Sequence, residues 1–207
     1  SGYESSTTGF SLGTEFEQYE NIFLSPSISA SYEEIEVQSS ASSAMKKMDG
    51  TYTNMDFAYG ITVDKRNQVF QPTEGYRTKF IQSLPIVMDS SSLLNGIEVS
   101  AYHAFSEDVI GAVKFHARTI HGLDDDDVRI TSRLYLPSKR LRGFKTSRVG
   151  PKDGDDWVGG NYTTALGFEA QLPNLLPEET RTDISAFIDT ANVWSVDYSD
   201  TIDDTNK

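Results

Sequence analysis

Apolar side chains recur at every second position along most of this chain, and no other periodicity is sustained. In residues 53–63, Met55, Phe57, Tyr59, Ile61 and Val63 share one parity, while Asn54, Asp56, Ala58, Gly60 and Thr62 share the other. A strand points successive side chains to opposite faces, so this segment reads as a strand with one apolar face and one small or polar face. Residues 22–32 repeat the pattern, with Ile22, Leu24, Ile28, Ala30 and Tyr32 set against Ser25, Ser27, Ser29 and Ser31. Further along, Thr164, Leu166, Phe168, Ala170 and Leu172 alternate with Ala165, Gly167, Glu169 and Gln171, and Ile184, Ala186 and Ile188 with Ser185, Phe187 and Asp189. Weaker alternation runs through 10–18, 76–87, 94–105 and 109–120. In the last of these Lys114, His116 and Arg118 stand opposite Val113, Phe115 and Ala117. The pattern predicts about eight strands of roughly 10–14 residues. The one helix candidate, 39–48, lacks an apolar stripe and reads as loop.

Such strands exceed the ~5–6 residues usual in soluble sheets and suit a tilted membrane crossing of ~9–11 residues. Composition agrees. Hydrophobic residues are only 37% of the chain while aromatics reach 11%. A membrane barrel needs apolar side chains only on its outer face, so low average hydrophobicity is expected of it. The connections also alternate in length. Those at 18–21 and 106–108 are tight, and 64–74 and 173–181 are modest. The stretches 33–50 and 121–161 and the acidic tail after Trp194 are long, whereas 88–92 is short where a long loop is expected. Tyr19, Tyr32, Tyr76, Tyr102 and Trp194 near strand ends are compatible with interfacial girdles. A soluble β-sandwich would also alternate, and it remains the rival at this point; the small or charged second face favours a wet lumen.

The net charge is −13, from 31 acidic and 18 basic residues, which argues against a broad basic surface for nucleic acid. Acidic runs at 124–127, 153–156 and 197–204 read as solvated loops without the Gly turn and terminal Glu of a calcium loop. His103, His116 and His121 show no paired ligand spacing, so no metal site is expected. The absence of cysteine excludes disulfides and thiolate chemistry. There is no apolar run of ~18 residues to make a spanning helix. Nor is there an N-terminal leader, so an exported protein with this sequence would be a mature or trimmed form. The Gly-x-Ser-x-Gly elbow and the phosphate-binding Gly loops are missing, and neither an enzyme nor a cofactor is expected.

Three spaced motifs then narrow the reading. Leu141-Arg142-Gly143-Phe144 is followed by Gly150-Pro151 and by Gly159-Gly160-Asn161, and then by a strand. This run resembles the sixth extracellular loop of the BamA/TamA/two-partner-secretion superfamily of outer-membrane barrels, also called the bacterial surface antigen superfamily. Leu166-Gly167-Phe168-Glu169 and the run from Phe187 to Trp194 resemble the two following strands of that family. Residues 72–77, Pro-Thr-Glu-Gly-Tyr-Arg, resemble one of its strand-opening turns. Two positions depart from the pattern: Leu141 stands first in the loop motif, and Ala191 replaces the Gly before Val193-Trp194.

The resemblance covers about residues 8–194, and its implications are these. The whole chain, 1–207, is a partial barrel domain carrying a long extracellular-type loop at 121–161. It is an antiparallel transmembrane segment of a 16-stranded barrel, spanning the sixth to the thirteenth strands. The POTRA domains and the first and closing strands lie elsewhere in the protein. The loop folds into the lumen, where Arg142 pairs with Glu169 and Asp189, Gly143 permits the tight path and Phe144 anchors the tip against the wall. The family's task would be the assembly and insertion of β-barrel proteins in a Gram-negative-type outer membrane. Its partners would be outer-membrane lipids, unfolded barrel clients and accessory lipoproteins. Translocation of the TamA or two-partner kind is the alternative within the superfamily.

Overall fold

All eight alternating segments lie side by side in one antiparallel sheet in the computed structural model, which describes residues 2–89, 91–123 and 127–196. The first segment is split into β1 (Tyr3–Gly13) and β2 (Phe16–Tyr19), the second into β3 (Ile22–Leu24) and β4 (Ser27–Val37). Pro26 explains the split. It has no amide to donate to the first segment, and only its carbonyl bonds there, accepting from the Thr14 amide at 3.1 Å. The ladder to the next strand continues unbroken, because Ser25 and Gly60 exchange both backbone bonds.

Then follow β5 (Gly50–Asp64), β6 (Gly75–Met88), β7 (Ser92–Ser106) and β8 (Val109–Gly122). After the long loop come β11 (Tyr162–Leu172) and β12 (Ile184–Trp194). Each pairs with its neighbour in chain order, ending β8–β11–β12, so β1 and β12 are the sheet's edges. Pro85 sits inside β6 at an irregular register, where Met55 faces Val87 and Asp56 faces Pro85, leaving Ile86 as the extra residue of a bulge.

The two faces of the sheet differ as the alternation predicts. One carries Phe10, Leu12 and Ile188, left 69%, 71% and 74% exposed, together with Phe57, Ile61, Val113 and Phe168. Across its middle strands polar groups bond to one another: the Tyr59 hydroxyl donates to Gln82 Oε1 at 2.7 Å, and Gln82 Nε2 donates to Asn95 Oδ1 at 2.7 Å. An apolar surroundings tolerates such groups only when they are bonded. The opposite, inner face carries Asp56, Lys79, Glu98, Lys114, His116, Glu169 and Asp189, and the long loop lies on it. Among the described residues no helix is long and apolar enough to cross a membrane.

That loop is residues 123–161. It contains a 3-10 turn (Ser138–Arg140) and a two-rung hairpin, β9 (Lys152–Asp153) with β10 (Asp156–Trp157). The acidic run 153–156, expected to be free loop, is thus the turn of a hairpin, with Lys152 Nζ 4.3 Å over the Trp157 ring. Of the run 124–127 only Asp127 is described, and 197–204 lies outside the described residues. The loop is held by small apolar clusters: Val128 and Leu134 on Ile120, and Leu136 on Ala165 and Val193.

A third cluster corrects the reading of 39–48 as loop. Residues Ser43–Lys46 form a single helical turn, α1, whose N-cap Ser42 accepts the Met45 amide at 3.2 Å. Met45 and Met48 are buried there against Ile130 and Val158 of the long loop. A four-residue turn has no periodicity to display, and its stability comes from the cap and from that distant contact.

Candidate functional site

Of the residues singled out in the sequence, Arg142, Glu169 and Asp189 come together on the inner face. The alternation of β11 and β12 decides this, since Gly167 and Asp189 are cross-strand partners and Glu169 lies two residues further along the same face. Arg142 Nε and Nη2 donate to the two oxygens of Asp189, both at 2.8 Å, and Nη1 donates to Glu169 Oε2 at 2.6 Å. The Arg142 backbone amide adds a bond to Asp189 Oδ2 at 3.0 Å. A planar fork on a carboxylate is the arrangement only a guanidinium can make. The side chains of Asp189 and Glu169 are 5% and 11% exposed, so their charges rely on this cation. Asp189 first, and Glu169 after it, push the Arg142 pKa up and hold it charged.

Phe187 completes the site, its ring 3.6 Å beneath the guanidinium carbon. Sequence reasoning missed this role, although Phe187 broke the alternation by standing with Ser185 and Asp189 on the polar side. An aromatic at a lumen position beside an acid is a signal for a stacked cation. The expected anchor, Phe144, does not bury against the described strands and is 63% exposed. Its backbone closes a turn instead, the Phe144 amide donating to the Leu141 carbonyl at 3.4 Å. Gly143 between them has φ +89°, a conformation that favours glycine, and Leu141 packs on the Leu136–Val193 cluster.

The remaining motif residues secure the loop's return. Pro151 is buried and its carbonyl accepts the Val158 amide at 3.1 Å, while Gly150 lies against Val193. Gly160 and Leu134 exchange backbone bonds at 2.9 Å, tying the two limbs of the loop together. A Cβ on Gly160 would sit 2.5 Å from the Trp194 carbonyl oxygen, so only glycine fits. Gly159 precedes it with φ +69°, and the Asn161 amide is shared between the carbonyls of Trp194 and Ser195, at 3.1 and 2.8 Å.

The histidines are dispersed. His116 faces inward beside Glu98 at 3.4 Å, whereas His103 and His121 lie on the other face, next to Phe105 and Tyr162. Among the described residues no three His, Asp or Glu side chains gather in a metal-binding cluster.

The model of the Omp85 superfamily domain matches residues 1–207. The outer membrane protein assembly factor BamA of Neorickettsia risticii (strain Illinois) is 24% identical over 202 residues, covering 95% of this chain and 27% of that protein. A SAM50-like protein of Schizosaccharomyces pombe is 28% identical over 141 residues, covering 64% of this chain and 30% of the relative. The human sorting and assembly machinery component 50 homolog is 25% identical over 136 residues, 64% of this chain and 29% of that protein. The chain therefore spans less than a third of the length of these curated relatives. Among solved structures, BamA from Haemophilus ducreyi lacking POTRA domains 1–3 superposes with a TM-score of 0.82 over 93% of this chain and 42% of that one, at 19% identity. The fold is that of a BamA barrel wall, and with its whole length matched by the family model the chain belongs to the Omp85 superfamily.

Proposed function

We propose that the protein containing this chain assembles and inserts β-barrel proteins in an outer membrane, acting without catalysis or cofactor, and that residues 1–207 form part of its barrel wall. The observation that carries this reading is that a bacterial relative is named an outer membrane protein assembly factor and a human one a sorting and assembly machinery component. The apolar face meets lipid, the inner face lines the lumen, and further strands of the longer protein pair with β1 and β12. A barrel that opens along a seam presents strand edges, and an edge is a template on which a client strand can add. The clients are unfolded outer-membrane proteins; accessory lipoproteins are further partners. These names favour assembly over secretion.

Within that task the motif of the long loop is a lumenal clasp. Arg142 locks the loop onto β11 and β12, so that this part of the wall stays rigid while a seam elsewhere opens. The experiment is reconstitution of the full-length protein in liposomes with an unfolded barrel client, followed by electrophoretic detection of folded client. Faster folding than in empty liposomes, slowed by Arg142→Ala, is expected. No acceleration by the wild type would sink the assembly reading; acceleration untouched by Arg142→Ala would sink the clasp.

A further inference from the structure

Fourteen residues ahead of the clasp region's Gly143 the same loop carries a second arginine whose contacts the motif does not explain. Arg129 is 5% exposed. Its Nη1 donates to Glu33 Oε2 of β4 at 2.9 Å, and its Nη2 donates to Asn54 Oδ1 of β5 at 2.6 Å. The guanidinium carbon lies 4.5 Å from the centre of the Tyr52 ring. Asn54 is itself held, its Nδ2 donating to Ser31 at 3.5 Å, and Glu33 is 7% exposed. Asp56, on the same face of β5, adds a nearby carboxylate. A charge this deep persists only when paired and bonded, and the wall supplies both.

Glu33 and Asn54 stand on the same inner face as Glu169 and Asp189 but toward the other edge of the sheet, with β6, β7 and β8 between β5 and β11. Four strand spacings of about 4.8 Å put β5 and β11 roughly 19 Å apart along the sheet. The thirteen steps from Arg129 to Arg142 reach at most about 45 Å, so a folded segment can bridge that distance. Arg140, two residues before Arg142, comes within 3.4 Å of Glu98 on β7, the strand midway between β5 and β11.

We infer that Arg129 is a second anchor, which pins the root of the long loop to the β4–β5 wall and, with Arg142, makes residues 129–142 a strut across the lumen. Each arginine holds its own end. The inference rests on the lumenal placement of the loop proposed above, and on nothing about clients.

The chain lacks cysteine, so single thiols introduced into a cysteine-free background of the full-length protein report on each end. Ser132→Cys lines a polar cavity of about 320 Å³ beside Arg129 and Glu33, and Val149→Cys lies in the apolar cluster beside the clasp. Maleimide labelling rates are measured in membranes. Arg129→Met should raise labelling at position 132 about ten-fold through local opening, with position 149 changing less than about two-fold, and Arg142→Met should do the reverse. Glu33→Gln, which keeps the arginine, should raise labelling at 132 by a smaller factor and serves if Arg129→Met does not accumulate. The exchange Arg129→Glu with Glu33→Arg should lower the rate again. An equal rise at both reporters in either arginine variant, or no rise at 132 in any, overturns the strut. The labelling needs no assembly activity, so a failed client assay and a failed strut are told apart.

Discussion

The two arginine anchors of the long loop, one near its root and one at its middle, solve one problem in different ways. At the clasp, three guanidinium nitrogens and a backbone amide of Arg142 are spent on two carboxylates, over an aromatic ring. At the root, Arg129 meets one carboxylate, one amide oxygen and one ring at a more buried site. The clasp lies within a recognisable motif and its acids sit on β11 and β12, 27 and 47 residues on. The root reaches 75 and 96 residues back, to partners with no motif. Equivalent chemistry is therefore no guide to how visible an anchor is; what matters is whether backbone geometry near the arginine is also constrained, as the Gly143 turn is.

The sharpest way to break this comparison is removal of the clasp cation. Arg142→Met should destabilise the barrel by about 3–5 kcal/mol, because two nearly buried carboxylates lose their partner. Urea unfolding of the full-length protein in detergent measures it. A lysine scan separates the ends: Arg142→Lys should lose more than Arg129→Lys, since an ammonium cannot fork onto Asp189 but can replace point contacts to Glu33 and Asn54. Equal losses would show that the fork adds nothing to charge.

Next in size is Gly160→Ala. Its Cβ collides with the Trp194 carbonyl, and the return limb must shift at a cost of about 1–3 kcal/mol. Faster proteolysis of the long loop in intact membranes would register it. Phe187→Leu removes the ring under Arg142 while keeping an apolar side chain, for a loss of about 1 kcal/mol that should vanish in an Arg142→Met background.

The smallest effect is expected at an exposed pair, Glu74 with the Ala104 amide and His103, at 3.1 and 3.2 Å. The Ala104 amide first, then His103, hold the Glu74 carboxyl below its usual range. A depressed carboxyl contributes at neutral pH and loses that contribution as pH falls through its folded value, below the ordinary carboxyl range. Glu74→Gln should lower stability at pH 7 only slightly and remove this equally small acid limb, in contrast to the desolvated anchors.

Much of the fold was legible because period 2 is a local property. Which residues of β5, β8, β11 and β12 face inward follows from counting, and that placed Glu169, Asp189 and His116 on the inner face. The motif residues were legible through resemblance, but Phe144 was assigned a wall that the described strands do not provide, while Phe187 beneath the arginine went unassigned. The split of the first two strands at Pro26 was present in the residues and passed over, since Ile28 and Ala30 keep the parity of Ile22 and Leu24 across the break.

By itself the sequence determined the eight alternating segments, the antiparallel order of neighbours and the chemistry of the two faces, because each depends on residues two positions apart or on short turns. Only the tertiary structure decided that Arg129 meets Glu33 and Asn54, and that Met45 and Met48 are buried on Ile130. Those contacts form where a curved sheet brings distant strands around one loop, and their energy comes from desolvation and pairing that no local window contains.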